Sequence, residues 1–411
     1  MLKVAYIANT FPRWGGGWLL NEARGVTGAG IDLVLFSFNR PSDEVAAQPG
    51  MKEWIARTTY LPRGDSKECL SEALGFIVRH PLAFLRGVVA ALRVGGRTSH
   101  KGHLMEVFFL ASRIRRSGAV HVHAQHADYV ADMAMAAAAC LRLPFSFAGH
   151  ARDMYTHPGR LKVKIRAARF VATCTGFNET YLKELCAGEK ESGLDPGKIA
   201  RVYHGVDLER FGFLEKPAPA TRLISVARLK EKKGYPYLLE ALVQLKKKGR
   251  DVTLEIYGDG DQKQPIEDRI RTLGLHDRVT LKGAIEHDRI PAALASAGAF
   301  VLACVVMPDQ DRDGIPNTII ESLATGVPVI STAISGIPEV VRDGVSGLLV
   351  PERDPAALAA AIERLISDPE LRARCGREGR RIVEADFSVE ATGRTLAGLF
   401  RRAVAPAGTA S

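Results

Sequence analysis

Residues 222–258 have the sequence RLISVARLKEKKGYPYLLEALVQLKKKGRDVTLEIYG, and the fold class can be predicted from these residues. An apolar run at 222–229 is followed by a helical period at 235–248 and by a second apolar run at 252–258. Two apolar strands joined by one helix form a βαβ unit, in which the strands are parallel. The stretch therefore predicts a parallel sheet covered by helices.

The same alternation extends over most of the 411 residues. Further strands are predicted at 3–9, 31–38, 120–125, 145–150, 169–174, 200–205, 279–283, 299–304 and 327–332, and helices at 69–94, 128–142, 264–273, 288–297, 317–325 and 355–366. Such alternation is typical of α/β domains with helices on both faces of a parallel sheet. Since the length suits two domains, we expect an α/β protein with two doubly wound, Rossmann-like domains that face a central cleft.

A segment rich in proline and alanine, GFLEKPAPAT at 212–221, marks the expected linker. It separates an N-terminal domain at 1–211 from a C-terminal domain at 222–385. We expect a helix at 386–403 that packs back toward the N-terminal domain, and a flexible tail at 404–411. Ligands of doubly wound sheets bind beyond the carboxyl ends of the strands, so the strand-to-helix loops carry the candidate site residues.

The net charge of +10 is concentrated in the first half of the chain. Residues 1–205 hold 27 Lys and Arg against 17 Asp and Glu, whereas residues 206–411 hold 29 of each. A basic surface attracts nucleic acid, anionic lipid or phosphorylated substrates, and a merely solvated basic surface is an equal alternative. Hydrophobic residues make up 46% of the chain and charged residues 25%, which excludes a disordered protein.

The six cysteines form no CxxC pair and are too sparse for a disulfide framework, so we expect reduced thiols in a cytoplasmic protein. No segment has the roughly 18 uninterrupted apolar residues that a membrane-spanning helix needs. The sequence begins as a strand rather than as a charged leader. Neither secretion nor membrane spanning is therefore expected.

The motif that carries most chemistry is DRDGIPNTIIESLATGVPVIST at 311–332. Pro316 and Asn317 are expected to begin a helix, with Asn317 as its cap, and the N–H groups of a first helical turn bind anions. Asp313 and Glu321 lie eight residues apart, and a carboxylate accepts hydrogen bonds from the vicinal hydroxyls of a sugar or ribose. This layout fits a nucleotide sugar, and a capped helix with surface acids is the alternative.

A second motif, VARLKEKKG at 226–234, places Arg228 and Lys233 in one strand-to-helix loop. A guanidinium and an ammonium there can neutralise a diphosphate without a metal ion. The alternative is a solvated charged loop, since other charged residues separate the two cations.

Two glycine-containing loops do not match the phosphate-binding fingerprints. WGGGW at 14–18 is not GxGxxG, although Gly16 and Gly17 would let the backbone approach a phosphate or sugar closely. GDGDQK at 258–263 lacks the third glycine, and GxxxxGK[ST] does not occur. A dinucleotide oxidoreductase and a P-loop enzyme are therefore disfavoured.

Taken together, the order of the motifs resembles family 4 retaining glycosyltransferases, which have the GT-B fold of two Rossmann-like domains. VARL…KKG, IYGDG, DGIPNTIIESLATGVPVI, SGIPEVV and DGVSGLLVP follow one another as in that family. HVHAQHADYVADMA, PFSFAGHARDMY and VYHGVDLERF resemble the bacterial exopolysaccharide and colanic-acid-type subgroup, so the resemblance covers residues 3–390.

The resemblance implies a hexosyltransferase that moves a hexose-type residue, with retention, from a nucleotide diphosphate sugar to a glycan or lipid-linked glycan acceptor. It implies no cofactor and no required metal, and we expect no nucleic-acid partner. It also implies donor-site roles, which group by ligand: the diphosphate for Arg228, Lys233, Thr318 and Ile319, the sugar for Asp313, Gly314 and Asn317, and the ribose for Glu321.

His150 is the implied residue of the N-terminal domain, lying beside the transferred sugar and aiding catalysis with Asp313. Gly16 and Gly17 would lie near donor and acceptor. Asp313 departs from the family, which has glutamate at this position, and one methylene less shortens its reach by about 1 Å. This departure keeps two alternatives open, a non-catalytic scaffold that binds sugar nucleotides and a GT-B-fold epimerase or phosphorylase.

Histidines and a basic amphipathic segment complete the candidates. A metal site at His121, His123 and His126 is disfavoured, because no acidic or thiol partner is evident nearby. His204 is expected to shape the hinge or the cleft floor. The segment 69–101 combines apolar residues with arginines, which suits the inner face of an anionic membrane or, alternatively, a helix packed on its own domain.

Overall fold

The computed structural model describes residues 1–13, 17–48, 50–95, 101–150, 152–155, 158–187, 194–214 and 218–405. The chain divides into two compact units: Met1–Gly205 with Val389–Ser411 form unit 1, and Val206–Ser388 form unit 2. Each unit holds one parallel sheet whose strands alternate with helices. The predicted α/β class with two doubly wound domains is therefore confirmed.

Unit 1 contains a seven-stranded parallel sheet of order β3-β2-β1-β4-β5-β6-β7. Its strands are β1 (Leu2–Thr10), β2 (Ile31–Asn39), β3 (Thr58–Tyr60), β4 (His121–Gln125), β5 (Phe145–Gly149), β6 (Phe170–Thr173) and β7 (Ile199–Arg201). Its helices are α1 (Gly17–Gly28), α2 (Asp43–Ala46), α3 (Met51–Arg57), α4 (Lys67–Arg79), α5 (Pro81–Val94), α6 (Lys101–Ser117), α7 (Tyr129–Leu141), α8 (Arg152–Tyr155), α9 (Pro158–Ala167), α10 (Gly176–Ala187) and, from the end of the chain, α18 (Val389–Val404).

Unit 2 contains a six-stranded parallel sheet of order β10-β9-β8-β11-β12-β13. Its strands are β8 (Arg222–Val226), β9 (Thr253–Tyr257), β10 (Val279–Gly283), β11 (Ala299–Leu302), β12 (Val329–Thr332) and β13 (Gly347–Val350). Its helices are α11 (Tyr235–Lys247), α12 (Lys263–Thr272), α13 (Ile290–Ala295), α14 (Asn317–Ala324), α15 (Ile337–Val340), α16 (Pro355–Ser367) and α17 (Pro369–Ile382).

The strand orders determine where each unit can bind a ligand. Both follow the doubly wound pattern, in which the direction of winding reverses beside the first strand. The reversal falls between β1 and β4 in unit 1 and between β8 and β11 in unit 2. At such a switch point the loops leave the two strands on opposite faces and open a crevice at their carboxyl ends.

Strand β1 shows why these sequences form buried strands. Ala5 and Ile7 pack into a core on one face of the sheet, and Val4, Tyr6 and Ala8 pack into a second core on the other. A central strand covered on both faces has no solvent side, so its apolar residues run on without alternating with polar ones. The first core also includes the alanine-rich helix α7, which is buried over most of its length.

Helix α18 belongs to unit 1 although it ends the described chain. It packs against α1 at two glycines, because a Cβ on Gly25 would lie 2.3 Å from the carbonyl oxygen of Val389 and one on Gly393 would lie 2.2 Å from the carbonyl carbon of Gly25. Its buried side chains Leu396 and Phe400 complete the second core. Two glycines thus allow the backbones of the helices to touch.

The division between the units differs from the expected linker at 212–221. Val206 forms an isolated β-bridge with Ser388, and Arg380 donates a hydrogen bond to the carbonyl of the buried Phe211. Residues 206–211 therefore pack with unit 2, and the chain changes unit at Gly205 rather than beyond residue 211. The C-terminal helix begins at Val389 rather than at 386, because a π-helical turn at 383–387 precedes it.

Among the described residues, no single helix is long and apolar enough to cross a membrane. Helices α4 and α5 pass that test only as a pair, bent by 115° at His80. The sequence predicts one mainly helical stretch here, and the break arises because Pro81 cannot donate a backbone hydrogen bond and restricts the residue before it.

Candidate functional site

The carboxyl ends of β8 and β11 bring the predicted cations and acids of unit 2 together. Gly234, which follows Lys233, has a φ of +66° and approaches the end of β11 so closely that a Cβ would lie 1.7 Å from the carbonyl oxygen of Ala303. A side chain at this position would collide with that backbone. Glycine therefore allows the Lys233 loop to lie against the segment that carries Asp313.

Lys233 and Asp313 form an ion pair in this position. Lys233 Nζ lies 2.7 Å from Asp313 Oδ2, and Lys232 Nζ lies 3.4 Å from Asp313 Oδ1 and 3.1 Å from Asp311 Oδ1. The side chains of Lys233 and Asp313 are only 9% and 17% exposed. The carboxylate predicted to contact a sugar is thus held by the cation predicted to contact a diphosphate.

The titration behaviour of these groups follows from burial and pairing. Burial by itself would raise the pKa of Asp313, but Lys233 and Lys232 outweigh it and hold the pKa below the ordinary 3.8. Burial likewise opposes the charge of Lys233, yet Asp313 holds its pKa above the ordinary 10.5. Burial raises the pKa of the neighbouring Cys304 thiol to about 12. The pair is therefore charged and the thiol neutral near pH 7.

Arg228 lies in the same loop but in a different state. It is exposed, and within the described part of the chain its guanidinium takes part in no hydrogen bond or ion pair. The loop itself is well fixed, because Gly258 and Gly260 lie against the carbonyls of Ala227 and Leu229, where a Cβ would come within 2.3 Å of oxygen. Among the described residues, this closely packed loop thus presents a guanidinium without a partner.

Helix α14 begins at Asn317, as predicted, with Pro316 rather than Asn317 at the cap position. Proline has no side-chain acceptor for the N–H groups of the first turn. The Ile319 N–H donates to the Pro316 carbonyl over 2.9 Å, so this amide is already used within the helix. The predicted anion site at the helix start therefore lacks the Ile319 amide. Gly314 lies in the loop before the helix and is half-buried.

Glu321 lies on the second turn of α14 and is 7% exposed. Its Oε1 is 3.3 Å from Nε2 of His287, which follows β10. Its Oε2 is buried and has no hydrogen-bond partner among the described residues. A buried carboxylate oxygen without a donor is costly, so this atom marks a place where a ligand with hydroxyl or N–H donors fits. No sequence motif identifies His287 as a site residue.

Unit 1 has its own cluster at the carboxyl ends of β4, β5 and β7. His150 Nδ1 lies 3.2 Å from His204 Nε2, and His150 Nε2 lies 3.4 Å from Gln125 Oε1. The Trp18 ring stacks on His204 with a centroid distance of 4.3 Å and an interplanar angle of 10°, and it also contacts His150. Burial lowers the pKa of His150 well below 6.5, with further contributions from the neighbouring histidines. His150 is thus a neutral, oriented imidazole.

Behind His150 lies a buried acid that the sequence analysis missed. Glu22 on α1 accepts hydrogen bonds from the Tyr6 hydroxyl over 2.8 Å and from the Gln125 amide. Burial raises the pKa of Glu22 to about 7, against the opposing effect of its two hydrogen bonds. A signal was available, because Glu22 occupies the apolar face of α1 between Leu19 and Val26.

The other histidines and glycines named from the sequence have different surroundings. His121 and His123 are buried, and each lies 2.7 Å from the same Ser146 hydroxyl. Burial lowers the pKa of His121 to about 3, which indicates a neutral core residue. Gly17 begins α1, whereas Gly16 lies outside the described residues.

Comparison with known proteins adds to this geometry. Residues 209–382 match the family model described as Glycosyl transferases group 1. The colanic acid biosynthesis glycosyltransferase WcaL of Escherichia coli (strain K12) is 42% identical over 230 residues, which are 54% of this chain and 55% of that protein. The amylovoran biosynthesis glycosyltransferase AmsK of Erwinia amylovora is 35% identical over 212 residues, 51% of this chain and 52% of that protein. The chain thus spans about half the length of the curated relatives it matches.

Solved structures show the same fold over nearly the whole chain. A glycosyltransferase from Rickettsia africae ESF-5 has a TM-score of 0.71 at 17% identity and covers 98% of both chains. Anabaena Alr3699/HepE, solved in complex with UDP and glucose, also has a TM-score of 0.71 at 17% identity, over 98% of this chain and 100% of that chain. At this identity the likeness concerns the fold alone.

Proposed function

We propose, from the match of residues 209–382 to the family model described as Glycosyl transferases group 1, that the chain is a retaining hexosyltransferase of exopolysaccharide biosynthesis. It would move a hexose-type residue from a nucleotide diphosphate sugar to a glycan or lipid-linked glycan. The observation that carries the proposal is the buried Oε2 of Glu321, in the unit that also presents Arg228, since neither group has a partner among the residues that the structure describes. The names of the relatives WcaL and AmsK support the exopolysaccharide context.

Unit 2 would bind the donor. Glu321 accepts hydrogen bonds from the ribose hydroxyls through its unpartnered oxygen, while Arg228 contacts the diphosphate. The amides of Asn317 and Thr318 add partial positive charge at the start of α14. Lys233 is paired with Asp313 before the donor binds. When the diphosphate also contacts the Lys233 ammonium, this ion pair weakens and Asp313 turns toward the sugar hydroxyls.

The chemistry follows from the charges that develop during transfer. Departure of the nucleoside diphosphate leaves an oxocarbenium-like sugar, and cations fixed beside the departing phosphate stabilise that transition state. Arg228 and Lys233 supply this charge, so the reaction needs no metal ion. The acceptor hydroxyl attacks from the face that the diphosphate leaves, with a phosphate oxygen taking its proton. His150 of unit 1 contributes a neutral imidazole to the sugar.

The proposal is tested by measuring binding and transfer separately. Nucleotide sugars with uridine, guanosine or adenosine are screened by thermal shift in the presence of EDTA, since a ligand at 100 times its Kd adds about 2.7 kcal/mol of stability. Transfer is then measured as acceptor-dependent release of the nucleoside diphosphate. Failure of every nucleotide sugar to raise the melting temperature would refute the proposal.

The same assays distinguish the two alternatives. Conversion of the donor without an acceptor, or dependence on inorganic phosphate, would indicate an epimerase or phosphorylase. Donor binding with neither transfer nor slow hydrolysis would indicate a non-catalytic scaffold, for which the Asp313 departure is the motivating observation. In that case transfer is measured in Asp313→Glu, because this variant has the family's glutamate and would restore activity.

A surface of unit 1 supports an additional proposal, peripheral binding to an anionic membrane. Helices α4 and α5 bury one face each and expose aliphatic side chains on the other, each 36% to 79% exposed: Leu70, Leu74, Val78, Leu82, Leu85, Val89 and Leu92. A contiguous exposed apolar patch is typical of an interaction surface. Beside α4 lies a cavity of about 620 Å³ lined by Arg79, Arg115 and Arg116 together with Glu68 and Glu72, of which Glu72 is paired with Arg116. Aliphatic groups flanked by cations fit a bilayer with anionic headgroups.

Vesicle flotation tests this surface. The protein is expected to float with vesicles of phosphatidylcholine and phosphatidylglycerol at low salt, and much less with phosphatidylcholine alone. Leu74→Asp combined with Val78→Asp should abolish flotation, while Val345→Asp, at an exposed apolar residue of unit 2, should not. Absence of flotation even with anionic lipid at low salt would remove the membrane proposal.

A further inference from the structure

Three side chains able to ligate a metal ion, one of them His150, lie close together in unit 1. His150, Cys174 and His204 follow the neighbouring strands β5, β6 and β7, and their ligand atoms all lie within 4.8 Å of one another. His150 Nδ1 and His204 Nε2 are 3.2 Å apart, and Cys174 Sγ lies 3.5 Å from the His150 carbonyl oxygen. The parallel sheet thus brings one thiol and two imidazoles to one edge.

The spacing suits a tetrahedral zinc ion. Zinc binds imidazole nitrogen at about 2.0–2.1 Å and thiolate sulfur at about 2.3 Å, which places two nitrogens roughly 3.4 Å apart and a nitrogen and a sulfur roughly 3.6 Å apart. The two imidazole nitrogens already have nearly this separation. Since the sulfur lies within 4.8 Å of both, a movement of about 1 Å completes the set.

The surroundings orient the histidines as a metal site requires. Because the amide N–H of Gln125 donates to Glu22, the Gln125 oxygen faces His150 Nε2 and accepts the ring proton. The lone pair of His150 Nδ1 therefore points toward His204 and Cys174. Metal-ligating histidines commonly donate their other N–H to an oxygen in this way. Stacking on Trp18 holds the His204 ring.

We propose that His150 Nδ1, Cys174 Sγ and His204 Nε2 bind Zn²⁺, leaving one coordination position for water or another ligand. The Cys174 thiol loses its proton to solvent when the metal binds, so binding releases protons. The site is not part of the transfer reaction. One consequence rests on the proposed function, in which His150 acts on the sugar. Zinc bound at His150 would make this imidazole unavailable to the sugar and so inhibit transfer.

Cobalt(II) titration of the full chain tests the site without reference to activity. Co²⁺ in a tetrahedral site with a thiolate ligand shows a sulfur-to-metal charge-transfer band together with intense d–d bands. We expect these bands to saturate at one equivalent and to disappear when Zn²⁺ is added. Cys174→Ser should lose the charge-transfer band, whereas Cys186→Ser, the matched change at another buried cysteine of unit 1, should keep it.

A second variant guards against misfolding of the first. His204→Gln should remove the tetrahedral d–d bands and weaken binding at least tenfold, with far-UV circular dichroism showing whether each variant is folded. A wild-type chain without the charge-transfer band, or a Cys174→Ser variant that retains it, would overturn the proposal. A separate measurement tests the inhibitory role: Zn²⁺ should inhibit transfer by the wild type but not by Cys174→Ser. Equal inhibition of both, or of neither, would contradict the inhibitory role but not zinc binding itself.

Discussion

Lys233 Nζ and Asp313 Oδ2 lie 2.7 Å apart, and each is the principal counter-charge of the other in a largely buried position. Eighty residues separate them in the sequence, and the pair joins the loop after β8 to the segment after β11. Under the proposed function, a donor phosphate that approaches Lys233 competes with a carboxylate already in place. Donor binding and the positioning of Asp313 would then be coupled through this one contact.

The first prediction concerns the stability that this pair contributes. Asp313→Asn leaves the Lys233 ammonium buried without its counter-ion and should lower the free energy of unfolding by about 3 kcal/mol. The exposed pair of Lys230 and Asp261, 2.6 Å apart, is the control, and Asp261→Asn should cost less than about 1 kcal/mol. Urea denaturation measures both changes. Equal, small losses would contradict the role of burial.

The pH dependence of that difference has a definite sign. The pKa of Asp313 is lowered in the folded state, so its contribution is complete above the ordinary pKa of 3.8 and is lost as pH falls through the lowered folded-state value. The difference in free energy of unfolding between wild type and Asp313→Asn should therefore decrease only below about pH 4.

The second prediction concerns the unpartnered oxygen of Glu321. Glu321→Gln replaces an acceptor-only group with an amide, and a hydrogen bond to a charged group is worth about 1.5–3 kcal/mol. The Kd for the nucleoside diphosphate should therefore rise roughly 10- to 100-fold in calorimetric titration. The free energy of unfolding should not fall, because Oε2 has no partner to lose among the described residues. Glu370→Gln, an exposed change on α17, should alter neither quantity.

The third prediction concerns Arg228. Arg228→Ala should reduce turnover about 100-fold, because it removes a cation that stabilises the departing phosphate. Its stability should stay close to that of the wild type, since within the described chain the guanidinium has no ion pair. Arg222→Ala is the matched control, because this exposed arginine lies at the amino end of β8, whereas Arg228 lies in the loop that follows its carboxyl end. Near-normal turnover of Arg228→Ala would refute the assignment.

The fourth prediction concerns the buried acid behind His150. The folded-state pKa of Glu22 is about 7 against an ordinary 4.5, so the folded state binds the proton more tightly and loses stability as pH rises toward 7. At about 1.4 kcal/mol per pKa unit, the difference between 4.5 and about 7 corresponds to a loss of about 3.5 kcal/mol. Glu22→Gln should therefore be more stable than the wild type at pH 8, and the two should converge below about pH 4.5. Thermal unfolding across this range measures the difference, and Glu44→Gln, an exposed change, should show no such trend.

The fifth prediction separates backbone conformation from close packing. Gly234 and Gly274 have similar φ values, +66° and +63°, but a Cβ at Gly274 would meet no atom within 4 Å, whereas one at Gly234 would lie 1.7 Å from the Ala303 oxygen. Gly274→Ala should cost about 1 kcal/mol, the strain of the left-handed conformation alone. Gly234→Ala should cost more than about 4 kcal/mol. Similar losses would show that the loop can move away from β11.

How far the sequence predicts the structure depends on the range of the interactions. The long apolar runs of β1 and β8 predicted buried parallel strands, because a strand covered on both faces must be apolar throughout. The edge strands β3 and β13, of three and four residues, were missed, since neither lies in a longer apolar run as the short central strands do. The unit boundary was misplaced, because the hydrogen bond from Arg380 to the Phe211 carbonyl joins residues 169 positions apart and has no local signal in the sequence.

The candidate site shows the same limit. Arg228 and Lys233 were placed in one loop, together with the acids after β11, because carboxyl ends of neighbouring strands meet in a doubly wound sheet. The pairing of Lys233 with Asp313 depends on the approach at Gly234, which only the tertiary structure provides. The network from Tyr6 through Glu22 and Gln125 to His150 joins residues up to 144 positions apart, for which a single sequence has no signal.

The return of α18 to unit 1 has a consequence for biosynthesis. The ribosome makes the first sheet early, yet the helix that covers it against α1 emerges only after the whole of unit 2 has been synthesised. Until then the nascent chain exposes the apolar side chains that Leu396 and Phe400 later cover. Unit 2 is one continuous segment and can fold first. Unit 1 begins synthesis first but completes its folding last, so it is the unit that we expect a chaperone to bind.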